Sequence, residues 1–171
     1  ANVERWYLEP IDTWIIFTKR GVDIEAYPAI KKHLNKFREQ LEPKPESWDE
    51  SLSGSWPGRK SGSYKWFEIQ DNVNYWQEFE VPKLLSTKIS FKPSFCIDRN
   101  GNYPANTAYC IRTGDFANYL AVLLNSNVSE YYSRKTFLGK QGGFYEVQPD
   151  GLELFPVPDL SPAERSLMNN I

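Results

Sequence analysis

Residues 64–88 read YKWFEIQDNVNYWQEFEVPKLLSTK, and this stretch decides how the rest of the chain is read. It holds six aromatics, a Pro-Lys pair and an emerging apolar strand within 25 residues. Tyr64 to Ile69 predicts a short strand, 71–79 a short helix or turn, and Lys83 to Ile89 a strand. Ser94–Asp98 and Thr107–Arg112 predict two more strands. The turn Asp98-Arg99-Asn100-Gly101 is expected to join them, because Asn-Gly tolerates positive φ at both positions.

Toward the N-terminus, residues 13–18 (TWIIFT) are β-branched and aromatic, and Lys19-Arg20-Gly21 closes them. This predicts a buried strand and a turn. A helix of about 14 residues should follow, with Pro28 in its first turn, where a missing N–H costs nothing. Ile30, Leu34, Phe37 and Leu41 fall on one face of it, while Lys31, Lys32, Lys36, Arg38 and Glu39 point mostly elsewhere. Pro43 and Pro45 end it. Residues 43–63 form a long loop rich in Pro, Ser and Gly, expected to be functional or mobile, with a flexible basic end.

Toward the C-terminus, 115–126 predicts a helix with the apolar stripe Phe116, Tyr119, Leu120, Leu123 and Leu124. Residues 128–137 predict a second helix, stopped by Gly139. Gly142-Gly143 precedes a short strand at 144–147. Ser161-Pro162-Ala163-Glu164 is a capping-box helix start, and that helix is expected to be cut off at Ile171. The sum is a mixed α/β fold, a small mixed sheet with helices packed on it. One domain over 1–160 and the beginning of a truncated helix over 161–171 are expected.

Length suits one domain of 171 residues, which buries roughly 70% of its unfolded surface and needs no staple. The longest apolar runs, WIIF and YLAVLL, fall far short of the ~20 residues of a spanning helix. There is no secretory signal, and the first residue is not Met, so an excised piece of a larger protein is expected, with Ala1, or Ala1 and Asn2, read as a cloning remnant. Cys96 and Cys110 are too few for a secreted framework and read as reduced core thiols of a cytoplasmic protein. Net charge is -2, but residues 82–145 hold eight Lys/Arg against three Asp/Glu. A basic middle between acidic flanks can make a cationic face on an acidic protein.

Groups for an independent active site are missing. His33 is the only histidine, which argues against a His-based triad or a His-Cys zinc site. The cysteines lack CxxC spacing, and neither a P-loop nor GxGxxG occurs. Glu80-Val81-Pro82-Lys83 has one residue too many for the Glu-x-Lys strand of a metal nuclease. The Gly loop and Asn/Asp-Pro-Pro-Tyr/Phe motif of adenine methyltransferases are absent too.

The ordered set of segments resembles the C-terminal specificity domain of TaqI-like adenine DNA methyltransferases and related restriction-modification enzymes. It comprises a strand ending in Lys19-Arg20-Gly21, the helix YPAIKKHLNKFREQL, and a basic loop before Tyr64-Lys65-Trp66-Phe67. Phe79-Glu80-Val81-Pro82-Lys83, the Asp98–Gly101 turn, YLAVLLNS at 119–126 and LFPVP at 154–158 follow. One departure lies in the loop at 43–60, where the first basic residue after Lys44 is Arg59. The resemblance implies a recognition domain with no chemistry of its own, behind a covalently linked methyltransferase domain that uses S-adenosylmethionine. It also implies duplex DNA held between the two domains, with the target adenine flipped out of the stack.

Lys and Arg bind phosphates or guanine edges, and Asn and Gln pair adenine edges. On that basis the DNA-binding candidates are Arg59, Lys60 and Lys65 in or beside the Gly-Ser loop. Lys83, Lys88 and Lys92 around the apolar strand join them, as do Arg134, Lys135, Lys140 and Gln141 around the Gly-rich turn. Trp66, Tyr75, Trp76 and Phe79 read as core. The rival reading is a protein-interaction module of a phage-defence complex, whose lysines only solubilise it.

Overall fold

A computed structural model describes residues 2–10 and 12–169. The expected run of the last helix to Ile171 therefore lies partly outside the described residues. Among these, seven α-helices and three small antiparallel sheets make a mixed α/β fold. The chain divides into two compact units, one spanning 14–74 and the other combining 1–13 with 75–171.

In the 14–74 unit, Asp23 caps a short 3-10 turn at Ile24–Ala26 by accepting from Glu25 N–H, and α1 (Pro28–Asn35) follows with Pro28 at its start. The predicted single helix breaks at Lys36-Phe37, where N–H groups bond three residues back, to His33 and Leu34. It resumes as α2 (Arg38–Leu41). Residues 13–18 form no strand, and Trp14 and Ile15 are 91% and 62% exposed, against the expected buried strand.

The 43–63 loop is cross-tied rather than loose. It contains α3 (Glu50–Ser53), capped by Asp49. Trp48 and Trp56 pack edge to face at 4.8 Å, and their indole N–H groups donate to Gly54 O and Glu42 O. Pro43 and Arg59 form a bridge. Gly58 is required at that approach, since a Cβ there would lie 2.3 Å from Glu42 O.

In the larger unit, β1 (Asn2–Val3) and β2 (Leu8–Glu9) make a hairpin. The main sheet centres on β3 (Lys83–Thr87), flanked by β5 (Phe95–Asp98) and β6 (Ala108–Arg112). The expected hairpin between the last two does not form, because each pairs with β3 instead of with the other. Leu84 and Leu85 are both buried on β3, so flanking this apolar strand on both edges hides more surface than a two-strand hairpin would. Leu85 stands opposite both Cys96 and Cys110. Two interstrand spacings put the cysteines about 9–10 Å apart, too far for a disulfide. Both thiols are free, and burial pushes that of Cys96 up to about 11.

The predicted strand at 83–89 changes sheets at Lys88. Its N–H bonds Thr107 O, its carbonyl accepts from Val147 N–H, and β4 (Ile89–Ser90) pairs with a new partner. α4 (Ala117–Leu124) covers the main sheet, burying Ala121 and Leu124 against Leu84, Phe95 and Phe155. α5 (Asn127–Thr136) is capped by Ser126 and leads into β7 (Leu138–Gly139). β8 (Tyr145–Glu146) then lies between β4 and β7. α6 (Pro149–Glu153) sits so close to Phe137 that a Cβ on Gly151 would come within 2.4 Å of its ring. α7 (Pro162–Asn169) starts in the predicted capping box, with Ser161 N–H donating to Glu164 and Glu164 N–H to Ser161 Oγ.

Candidate nucleic-acid interface

Arg59, expected in a flexible groove-entering loop, is the organising side chain of the 14–74 unit. Its Nε donates to Leu41 O at 2.7 Å, Nη1 to Glu68 O at 2.8 Å, and Nη2 to the carbonyls of Trp66 and Lys65 at 2.8 and 3.3 Å. Four of its five donors are thus committed, and the guanidinium lies 4.6 Å from the centroid of the Tyr64 ring. The same contacts explain why 64–69 is not the predicted strand. The carbonyls of Lys65, Trp66 and Glu68 serve Arg59, while the buried Glu68 carboxylate accepts from the N–H groups of Lys65 and Gly21. Burial opposes ionisation of Glu68, but those N–H groups with Lys65 and Arg20 outweigh it and hold the carboxyl below its ordinary range. Lys60 and Lys65 are exposed, with Lys65 Nζ 5.6 Å from the Phe67 ring centroid.

Lys83, expected to contact DNA, lies in the interior instead. It opens β3 with no exposed surface and ion-pairs with Asp98, which is likewise fully buried. Its ammonium also donates to Phe79 O. Asp98 in turn accepts from Asn100 N–H, Asn102 N–H and Asn102 Nδ2, so it gathers the turn that the sequence assigned to a hairpin. Lys83 therefore has no face to present to DNA.

The remaining candidates belong to the larger unit and gather around the β4-β8-β7 sheet and the end of α5. Lys88 and Lys140 share Glu146, at 3.5 and 2.7 Å. The Lys140 hydrogen bond outweighs burial, and with Lys88 it holds the Glu146 carboxyl below its ordinary range. Arg134 pairs with Glu130 one helical turn back and donates to Phe91 O at 3.0 Å and Gly143 O at 3.4 Å. Its guanidinium lies 5.2 Å from the centroid of the Phe91 ring, which packs edge to face on Phe144. Gly143, at φ +80°, lets the hairpin close against Phe91, where a Cβ would lie 3.2 Å from the ring. Lys92 and Lys135, chain neighbours of Phe91 and Arg134, are exposed, as is Gln141 on the turn.

Five of the eight cations of residues 82–145 are thus in ion pairs: Lys83, Lys88, Arg112, Arg134 and Lys140. Two of the partner carboxylates, Glu78 and Glu146, lie outside that stretch, so pairing lowers its excess of positive charge by two. A groove of about 420 Å³ runs beside Lys88, with Leu85 in its lining, between Val3 of β1 and the Tyr103–Thr107 segment. Sequence reading missed the Phe91–Phe144 pair and the carboxylates of Glu130 and Glu146. Glu130 to Arg134 is a legible i,i+4 spacing, whereas Glu146 meets its lysines only through strand register.

Among the described residues no cluster of His, Cys, Asp or Glu is arranged to hold a metal ion. Nor is any helix among the described residues long and apolar enough to cross a membrane. The fold offers a surface with cations, ring faces and an amide around a glycine turn. Residues 1–157 match the TaqI-like C-terminal specificity domain, and the chain belongs to that family. Membership supports a role in DNA target recognition in restriction-modification systems, and a specificity domain is not itself catalytic. No curated protein matches the chain significantly.

Proposed function

We propose that this chain recognises duplex DNA for an adenine-specific methyltransferase or a related restriction-modification enzyme, in the cytoplasm. The methyl-transfer chemistry and its S-adenosylmethionine belong to a covalently linked domain. The observation that carries this reading is the grouping of Lys88, Lys92, Arg134, Lys135, Lys140 and Gln141 around one small sheet of a specificity-domain fold. Cations there would neutralise phosphates, and the Gln141 amide would be offered to a base edge. Lys60 and Lys65 remain candidates on the other unit.

Binding to a mixed-sequence duplex, titrated across monovalent salt, tests it. With four or five phosphate contacts the log-log slope should be about -3.5 to -4.5. Reversing Lys92 and Lys135 to Glu should weaken binding evenly across sequences and flatten the slope by about one per lost contact. A slope near zero, or one indifferent to both reversals, would defeat the reading. The exposed run Trp14-Ile15-Ile16 favours the second reading, a docking module of a phage-defence complex. It predicts no DNA binding at any salt and a partner lost on Trp14→Ala.

A further inference from the structure

The hairpin of β1 and β2 carries a departure from ordinary backbone geometry. Among the described residues, Trp6 is the single non-glycine residue at positive φ, at 79°. A bulky L side chain is disfavoured there because Cβ crowds the neighbouring carbonyl. Burial does not compensate, since Trp6 is 52% exposed and Tyr7 59%. Gly or Asn would close the same turn without strain.

The surroundings nonetheless impose this conformation. Glu4 N–H bonds Tyr7 O at 3.0 Å across the tip, and Trp6 N–H bonds Phe95 O at 3.1 Å. The Arg5 guanidinium donates to Asn125 O and lies 5.5 Å from the Trp6 ring centroid. Arg5 Nε is buried without a hydrogen-bond partner among the described residues, a second cost at the same tip. The buried Asn125 side chain ties both ends of this anchor, accepting from Phe95 N–H at 3.0 Å and donating to Phe95 O at 2.7 Å. Strain held this firmly in an exposed aromatic points to use of the ring outside the chain.

The hairpin packs on the main sheet, against β3 and β5. Its first strand walls the groove that Lys88 lines, and Lys88 pairs with Glu146 in that sheet. The two adjacent rings stand beside exposed Glu4, Glu9 and Pro10 rather than in a run of apolar side chains such as Trp14-Ile15-Ile16. They suit a nucleobase that is out of the duplex stack, because such a base offers a bare π-face and stacking on it needs no further complementarity.

We propose that the Trp6-Tyr7 tip is a second DNA contact, in which the indole stacks on a nucleobase face. This rests on the DNA-recognition reading above and adds to it a contact that owes nothing to charge. The test uses the full chain at low salt with a mixed-sequence duplex that carries one unpaired base at its centre, and with variants Trp6→Ala, Trp6→Phe and Trp6→Gly. Trp6→Ala and Trp6→Gly should weaken binding about ten-fold without changing the salt slope, and Trp6→Phe should keep most of the affinity. Trp6→Gly also relieves the positive φ, so its Tm should equal or exceed that of the parent while binding still falls. A purely structural role cannot give that combination. Parent-like binding by Trp6→Gly overturns this inference alone, as does a loss of binding matched by a fall in Tm. Failure of the unaltered chain to bind any duplex overturns the DNA reading and this inference with it.

Discussion

Two arginines in this molecule sit in the same kind of setting and do different work. Arg59 and Arg134 each follow or precede a glycine-rich stretch, stack on an aromatic ring and donate to backbone carbonyls. Arg59 meets only carbonyls, from residues on both sides of its loop, and so fastens the 14–74 unit from within. Arg134 also commits four of its five donors, but two go to the Glu130 carboxylate and one each to the carbonyls of Phe91 and Gly143, and Lys135, Lys140 and Gln141 around it stay exposed. Basic residues beside flexible-looking turns are thus not one class. What separates them is whether backbone carbonyls take every donor in use, as at Arg59, or share them with a carboxylate, as at Arg134.

Lys83 is the extreme of the inward class and gives the largest expected effect. Lys83→Ala leaves Asp98 buried without its partner and should lower stability by about 3–5 kcal/mol in denaturant unfolding. Affinity for DNA per folded molecule should not change. Burial opposes ionisation of Asp98, yet Lys83, Asn100 N–H and Asn102 hold its carboxyl below the ordinary value. Its stabilisation is therefore complete above about pH 4 and is lost as pH falls through the lower folded value. Asp98→Asn should flatten that acid-side slope of stability against pH. A Lys83→Ala protein as stable as the parent would break the inward class.

Arg59→Ala should come next, costing about 2–3 kcal/mol, because carbonyls around the 43–69 segment lose a charged donor together. Thermal unfolding measures it, and the salt slope of DNA binding serves as the control. A variant of unchanged Tm with a flattened slope would move Arg59 to the outward class. That result would restore the role the sequence suggested for it.

Elements governed by local chemistry were legible in the sequence. Pro28 opens α1, Ser161 and Glu164 cap α7, and Leu120, Leu123 and Leu124 form the face of α4 against the sheet. What escaped depends on competition between distant groups. Asn100-Gly101 does mark a turn, but the choice of strand partner was made by Leu84 and Leu85, which take β5 and β6 on either side. The strand expected at 64–69 was lost to two side chains, Arg59 and Glu68, that occupy its backbone groups. The candidate site was legible as a list of cations and not as their partners. Glu146 lies outside the basic stretch, yet it holds two of its lysines.

That carboxylate gives the smallest effect and the sharpest distinction. Glu146 keeps the ammonium groups of Lys88 and Lys140 beside it, and a negative charge there opposes an approaching phosphate. Glu146→Gln keeps the shape and the hydrogen-bonding oxygen while removing the charge. If the lysines serve DNA, affinity for a mixed-sequence duplex should rise about three-fold at low salt, and the gain should fade as salt screens the site. A drop in affinity would mean that the carboxylate positions the two lysines for their phosphates. No change at any salt would mean that Lys88 and Lys140 belong with Lys83 and Arg59, holding the fold together, and that the outward class in the larger unit shrinks to Lys92, Arg134, Lys135 and Gln141.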